Sequence, residues 1–258
     1  MNWKNIKTFL IILFLGINVF LGISTVKMHG GDRLTEQNIN DAVALLEKNN
    51  IYIDKSIIPT APSDFDDIEL SNPLFSDKSI DKSLITKSDN DGICMRIPAI
   101  TADINEKNAE SKIRTILKQN KFKIKSIILT KMPDSDNKIC YNMTSEHNGI
   151  KIFDNNMTIT VDDGALLLSG TWYEYRSESI ISSGKKTVHA TSALIEFISA
   201  RANDGKAVTI NDISLGYHAA GPDNRKNVKT ISAFPCYRLT TDTGMVYYYN
   251  IRNGSLSN

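Results

Sequence analysis

The residues in this 258-residue chain best spaced for chemistry are a serine and a lysine three apart. Ser79-Ile-Asp-Lys82 fits S-x-x-K, and Ser135-Asp136-Asn137 follows downstream, the order in which penicillin-recognising enzymes activate an acylating serine. That chemistry needs the serine to open a buried helix, so that the lysine one turn on can activate it. Here the serine stands in a charged, loop-like stretch and no K-T-G follows, so the spacing carries no acyl-enzyme chemistry. His29, His147, His189 and His218 are scattered without ligand-like spacing, and no G-x-S-x-G, H-E-x-x-H, Walker loop or Rossmann fingerprint is present. Asp64, Asp66, Asp67 and Glu69 are dense enough to suggest calcium. The ligand order and the glycine of an EF-hand are missing, so they are expected on a solvated acidic loop. The expectation is no catalytic residue, no cofactor and no metal.

Cys94, Cys140 and Cys236 sit alone in "GICMRI", "KICYNM" and "FPCYRL". An odd count excludes a full disulfide framework and leaves one pair open, while the absence of C-x-x-C argues against zinc or redox work. They are expected as buried small hydrophobes. The aromatics Trp172, Tyr173, Tyr175 and Tyr247–Tyr249 fall in strand-like settings, where alternating rings cover a sheet. Three consecutive tyrosines must point to both faces, so at least one ring is expected near solvent. Tyr247 and Tyr249 are the candidates for protein contact.

One stretch could cross a bilayer. "TFLIILFLGINVFLGISTV", residues 8–26, carries no charge. At about 1.5 Å per residue it reaches roughly 28 Å, close to a hydrocarbon core of about 30 Å. Secretory signals have shorter apolar runs and a small-x-small cleavage site, and neither feature is present. Lys4 and Lys7 precede the run, which favours a cytoplasmic N-terminus. An uncleaved anchor is therefore expected, with residues 1–7 inside the cell and the body outside. Asn18 lies near mid-membrane, where an amide is best satisfied by another helix, and Gly16 and Gly22 would permit close approach. These three are the candidate intramembrane contact residues. The net charge is +1; without Lys4, Lys7 and Lys27 the remaining 27 Lys and Arg face 29 Asp and Glu. Such a body has no electrostatic claim on nucleic acid or on anionic lipid.

The body alternates helices with strands. "LTEQNINDAVALLEKNN" has Thr35 as N-cap and Ile39, Ala42, Val43, Leu45 and Leu46 on one broad face; "IYIDKSII" follows as a strand. "EKNAESKIRTILKQN" places Ala109, Ile113, Ile116 and Leu117 together, again before a strand, "FKIKSIIL". "LEKNNIYIDKSII" and "LKQNKFKIKSII" look like one unit used twice. Residues 59–91 are rich in Pro, Ser and Asp and are expected as loop with one short helical turn. Residues 122–175 are expected as an antiparallel meander broken at Pro-Asp-Ser-Asp, His-Asn-Gly, Asp-Asn and Asp-Asp-Gly. A third helix in "TVHATSALIEFISARAND" precedes "AVTINDISLGYHA", "ISAFPCYRLT" and "MVYYYNI". The fold class expected is α+β: a single N-terminal transmembrane helix, then an extracytoplasmic body of two helix-plus-antiparallel-sheet units, 27–131 and 132–258.

The C-terminal third resembles the YycI (WalI) family. "SGKKTVHATSALIEFISARANDG", "INDISLGYH" and "FPCYRLTTDTGMVYYYNIRNG" match its "ISA…AL..L" helix, its "LGYY"-like strand and its final "F.P.WR…YYVNA..G" hairpin. His218 stands at the second Tyr of the strand motif, Tyr237 at the Trp and Ile251 at the Ala. The opening "MNWKNIKTFLIILFLGINVFLG" is also similar to the family's start, while residues 59–91 have no counterpart. These motifs are structural rather than catalytic. The resemblance implies a non-enzymatic regulator in a low-GC Gram-positive bacterium. Its implied partners are a YycH-like sister protein and a WalK-type (YycG) sensor histidine kinase controlling the cell wall, with much of the restraint carried inside the membrane. The alternative is an exported, tethered ligand-binding or protease-inhibitor domain.

Overall fold

The computed structural model describes residues 34–60, 65–72, 81–89, 92–98, 104–133, 138–178, 187–201, 206–219 and 229–257. Helix α1, Glu36–Lys48, starts where Thr35 caps it, its hydroxyl accepting the Asn38 N–H at 3.3 Å. Glu36 in the first turn and Lys48 in the last suit the helix dipole. Ile39, Ala42, Val43 and Leu46 are buried, whereas Leu45 turns outward. Helix α2, Ala109–Gln119, buries all four of its expected residues. Both helices end on an asparagine followed by a left-handed residue, Asn50 at φ 59° and Lys121 at φ 68°. The Lys-Ser-Ile-Ile stretches, expected inside strands, open on 3-10 turns at Lys55–Ile57 and Ile124–Ser126, and only the second runs on into a strand, from Ile127. Local hydrogen bonds turn the chain there: Asp54 accepts the Ser56 N–H at 2.8 Å, and the Ser126 hydroxyl donates to the Lys123 carbonyl at 2.8 Å. The likeness of the two segments is therefore a helix, a left-handed exit and a tight turn.

Among the described residues thirteen strands join in one sheet: β1 Ile51–Ile53, β2 Ile68–Ser71, β3 Ile85–Asp89, β4 Gly92–Pro98, β5 Ile127–Lys131, β6 Cys140–His147, β7 Ile150–Asp162, β8 Ala165–Thr171, β9 Glu174–Glu178, β10 Val208–His218, β11 Thr230–Thr241, β12 Val246–Asn250 and β13 Leu256–Ser257. The main path runs β13-β12-β11-β10-β7-β8-β4-β3, mostly antiparallel, so the body is α+β. Strands β1 and β7 both run parallel to β10, against its two ends. Helix α2 packs on β4 to β8 in one core cluster. Helices α1 and α3, the latter Ala190–Ala200, cover β1, β10, β11 and β12 in a second. A third cluster of Ile68, Leu70, Ile152, Tyr173, Tyr217 and Ile231 lies between them. Residues from both sides of position 131 build each cluster.

Two local expectations change. Residues 59–91 hold β2 and β3 beside a 3-10 turn at Lys82–Leu84. In β2 only Ile68 and Leu70 alternate inward, too short a period to show in sequence. The Asp-Asn break in the meander is no turn either, because β7 runs straight through it. Thr144 lies opposite Asn156 but Ser145 opposite Ile152, so Phe153, Asp154 and Asn155 bulge out of the ladder. Residues 8–26, with Gly16, Asn18 and Gly22, fall outside the described residues, and among the described residues no helix is long and apolar enough to cross a membrane.

The bulge is held from inside by Asn155, 1% exposed. Its amide nitrogen donates to the Ser145 hydroxyl at 2.6 Å and the Tyr173 carbonyl at 2.8 Å, and its oxygen accepts the Tyr173 N–H at 2.6 Å. Removing the amide strands three buried polar groups, each costing about 1–3 kcal/mol. Asn155→Ala is expected to destabilise the fold by about 3 kcal/mol in urea unfolding. A change within about 0.5 kcal/mol, the size of an ordinary surface substitution, would show that the amide does not hold the bulge.

Candidate partner-binding face

Alternation along the last strands sorts their side chains onto two faces. Ile213 and Leu215 of β10, Tyr237 and Leu239 of β11, and Tyr247 and Tyr249 of β12 join the cluster under α1 and α3. Asp212, Ser214, Gly216 and His218, with Phe234, Cys236, Arg238 and Tyr248, therefore take the helix-free face. Phe153 reaches out of the bulge and lies over Gly216, where a Cβ would come within 2.4 Å of its ring. The Arg238 guanidinium carbon sits 4.5 Å from the Phe153 centroid, and Tyr248 packs at 5.8 Å on the same ring. His218 stacks parallel on Tyr248 at 3.9 Å, with Phe234 edge-on to His218 at 6.0 Å. Tyr52, 47% exposed, and Val246, 43% exposed, continue the face toward the β11–β12 turn.

Charges fix the platform's edges. Asp154 accepts the Ala219 N–H at 2.7 Å and brings its other oxygen to 3.3 Å from His218 Nδ1, an ion-pair distance without hydrogen-bond alignment. Arg238 meets Asp212 at 3.4 Å. Burial, and then the Asp154 charge, push the Cys236 thiol far up, so it stays a protonated, unreactive thiol at neutral pH. All three cysteines are free thiols, Cys140 and Cys236 buried and Cys94 half-buried.

The expected contact residues fare unequally. Tyr249 is 0% exposed, so its ring is not open to a partner in this conformation, and burial pushes its hydroxyl well up. Tyr247 is half-buried, edge-on to Phe197 at 5.0 Å. The tyrosine on the open face is Tyr248. Register sets this, since Tyr248 pairs with Arg238 and its neighbours pair with the apolar Tyr237 and Leu239. The acidic cluster is dispersed: Asp67 meets Arg252 at 3.6 Å, Glu69 meets Arg176 at 3.7 Å, and Asp64 lies outside the described residues. Ser79 and Ser135–Asn137 lie outside them too. Among the described residues no group of three His, Cys, Asp or Glu could hold a metal. His189 is the N-cap residue of α3, without a side-chain cap bond.

Much of the platform comes from the segments "LGYH", "FPCYR" and "VYYYN", set side by side on β10, β11 and β12. A family model described as YycI protein matches residues 31–245. The chain belongs to the YycI family. That family is regulatory, and membership points to the WalK (YycG) two-component system. No curated protein matches the sequence. The chain is similar to an uncharacterized protein from Eubacterium rectale at 12% identity and a TM-score of 0.46, covering 81% of this chain and 90% of that one. It is also similar to the Bacillus megaterium YpeB C-terminal domain at 15% identity and a TM-score of 0.34, covering 61% and 65%.

A second aromatic group lies where the halves of the sheet meet. His147 stacks on Tyr175 at 3.8 Å and tilts against Tyr217 at 6.4 Å. Burial lowers the His147 pKa, with Glu178 opposing. The folded protein then takes the proton less readily than the unfolded chain. Stability is full above the unfolded value of about 6.5 and is lost as pH falls from there toward the lower folded value. Thermal midpoints measured at pH 7.5 and 5.5 should show a drop that His147→Gln reduces. Gly216→Ala should drive the Phe153 ring off the sheet, press on the Lys151 carbonyl 2.8 Å from such a Cβ, and cost about 1–3 kcal/mol, as over-packing does. Phe153→Ala in the same chain should recover part of that loss in denaturation measurements; no recovery would place the strain elsewhere.

Proposed function

We propose that this protein is a membrane-anchored, non-enzymatic regulator of a WalK-type (YycG) sensor kinase, acting with a YycH-like sister protein. Residues 8–26 hold it in the membrane with the N-terminus inside and the α+β body outside the cell. The observation that carries this reading is the family match over residues 31–245. The uncharged run of residues 8–26 behind Lys4 and Lys7 supports the anchor, and the half-exposed face around Tyr248 gives the body a surface fitted to protein contact. Asn18, with Gly16 and Gly22 beside it, supports a contact inside the membrane.

Replacing residues 8–26 with an unrelated apolar span, the body kept intact, is expected to abolish control of kinase output. Unchanged output would overturn the intramembrane part of the reading. Asn18→Leu should weaken capture of the kinase from detergent about fivefold, matching about 1 kcal/mol for an interhelical amide bond. A wild-type chain that captures neither kinase nor sister would favour a tethered ligand-binding or protease-inhibitor domain.

A further inference from the structure

Four of the six large apolar side chains left open among the described residues gather at one end of the body. Leu45, 41% exposed, lies in the last turn of α1. The chain then turns at Asn50, whose carbonyl accepts the Val208 N–H at 3.0 Å where β10 starts. Tyr52 stands opposite Thr209, and the Thr209 carbonyl accepts the Asp242 N–H of the β11–β12 turn at 2.8 Å. That turn carries Met245, 56% exposed, and then Val246. Helix α3 ends here too, since Phe197 packs on Tyr247 and the Arg201 guanidinium lies 5.8 Å over the Phe197 ring. Among the described residues Lys48, Arg201 and Lys206 rim this end, against Glu47 and Asp242.

Apolar tips inside a basic rim suit a bilayer surface. The tips enter the headgroup region, while lysine stems lie along it and keep their charges among anionic lipids. The whole body is nearly neutral, so the attraction is local and comes first from apolar area removed from water. Chain length permits the approach. Residues 27–33, between the apolar run and Leu34, span at most about 24 Å. The 13 residues of α1 rise about 20 Å, so its far end can come down to the surface from which the linker departs. We propose that Leu45, Tyr52, Met245 and Val246, with Lys48 and Lys206 beside them, form a lipid contact that stands the body on the membrane. Strand β12 then leads away from the bilayer, and the face around Tyr248 stands upright, turned sideways toward a neighbouring extracellular domain. The contact rests on the reading that residues 8–26 anchor the chain.

The test uses full-length protein in vesicles of phosphatidylcholine and phosphatidylglycerol with brominated acyl chains, which quench tryptophan on contact. Trp3→Phe removes the tryptophan beside the apolar run, and Trp172 stays enclosed in the core. In that background Val246→Trp should be quenched about twofold more than Lys118→Trp, an exposed position on α2, because the tip enters the headgroup region. Adding Tyr52→Asp with Met245→Asp should abolish the difference, whereas Met132→Asp, at an exposed methionine on the other half of the sheet, should leave it. Thermal midpoints verify that each variant is folded. Equal quenching at positions 246 and 118, or a difference that survives Tyr52→Asp with Met245→Asp, overturns the proposal. If these substitutions then cost capture of the kinase, the end is a protein contact instead. Flotation of the same vesicles reads the anchor separately. A chain that floats with equal quenching loses only the contact; one that does not float loses the anchor and the contact with it.

Discussion

Three consecutive residues of β7 govern the architecture. A strand that pairs with β6 along its length, β10 at its start and β8 at its end cannot serve all three without a change of register. The extra residues 153–155 supply it. Asn155 points inward and stands in for a strand partner of Tyr173. Asp154 ties the end of β10 through Ala219, and Phe153 lies across Gly216 on the open face. Bulges that re-aim side chains concentrate beside functional surfaces, and here one bulge both joins the two halves and builds the platform.

The sheet's two faces obey different rules. Under α1 and α3 the contacts are apolar and closed, with Tyr249, Phe197 and Leu46 wholly buried. On the other face each ring is held by a neighbour of different chemistry: Phe153 by a guanidinium, Tyr248 by an imidazole, His218 by Asp154. Antiparallel sheets often keep one face open to water, and this one fills it with amphipathic groups that pack without becoming sealed. The family's "LGYY"-like strand gains a physical meaning in this setting. Leu215 joins the helix-side core, Gly216 leaves room for Phe153, Tyr217 enters the central cluster, and His218 replaces a tyrosine while keeping a flat ring on Tyr248.

Local pattern was legible in the sequence, and pairing was not. The cap at Thr35, the buried faces of α1 and α2, and the β11–β12 hairpin follow from spacing and turn chemistry. The bulge was hidden because Asp-Asn is strong turn chemistry, and only tertiary partners for both side chains keep the strand extended. No turn signal interrupts residues 165–175, yet β8 ends at Thr171 and β9 pairs instead with β2, which no local period encodes. Three tyrosines in a row give no phase of their own, so the sequence does not separate Tyr248 from Tyr249; register against Leu239 and Tyr237 does.

The parallel pairing of β1 with β10 sets an order of events for the newborn chain. Ile51 lies opposite Val208, so the first strand made finds its place only when most of the polypeptide exists. Until then the apolar face of α1 has neither α3 nor β10 to cover it. Contacts this distant slow folding and leave hydrophobic surface open for longer. The α2 half, with β3 to β8 contiguous in the chain, can assemble first and offer β7 as a template. Topology thus favours assembly from the middle of the sequence, with α1 covered only once β10 and α3 are in place.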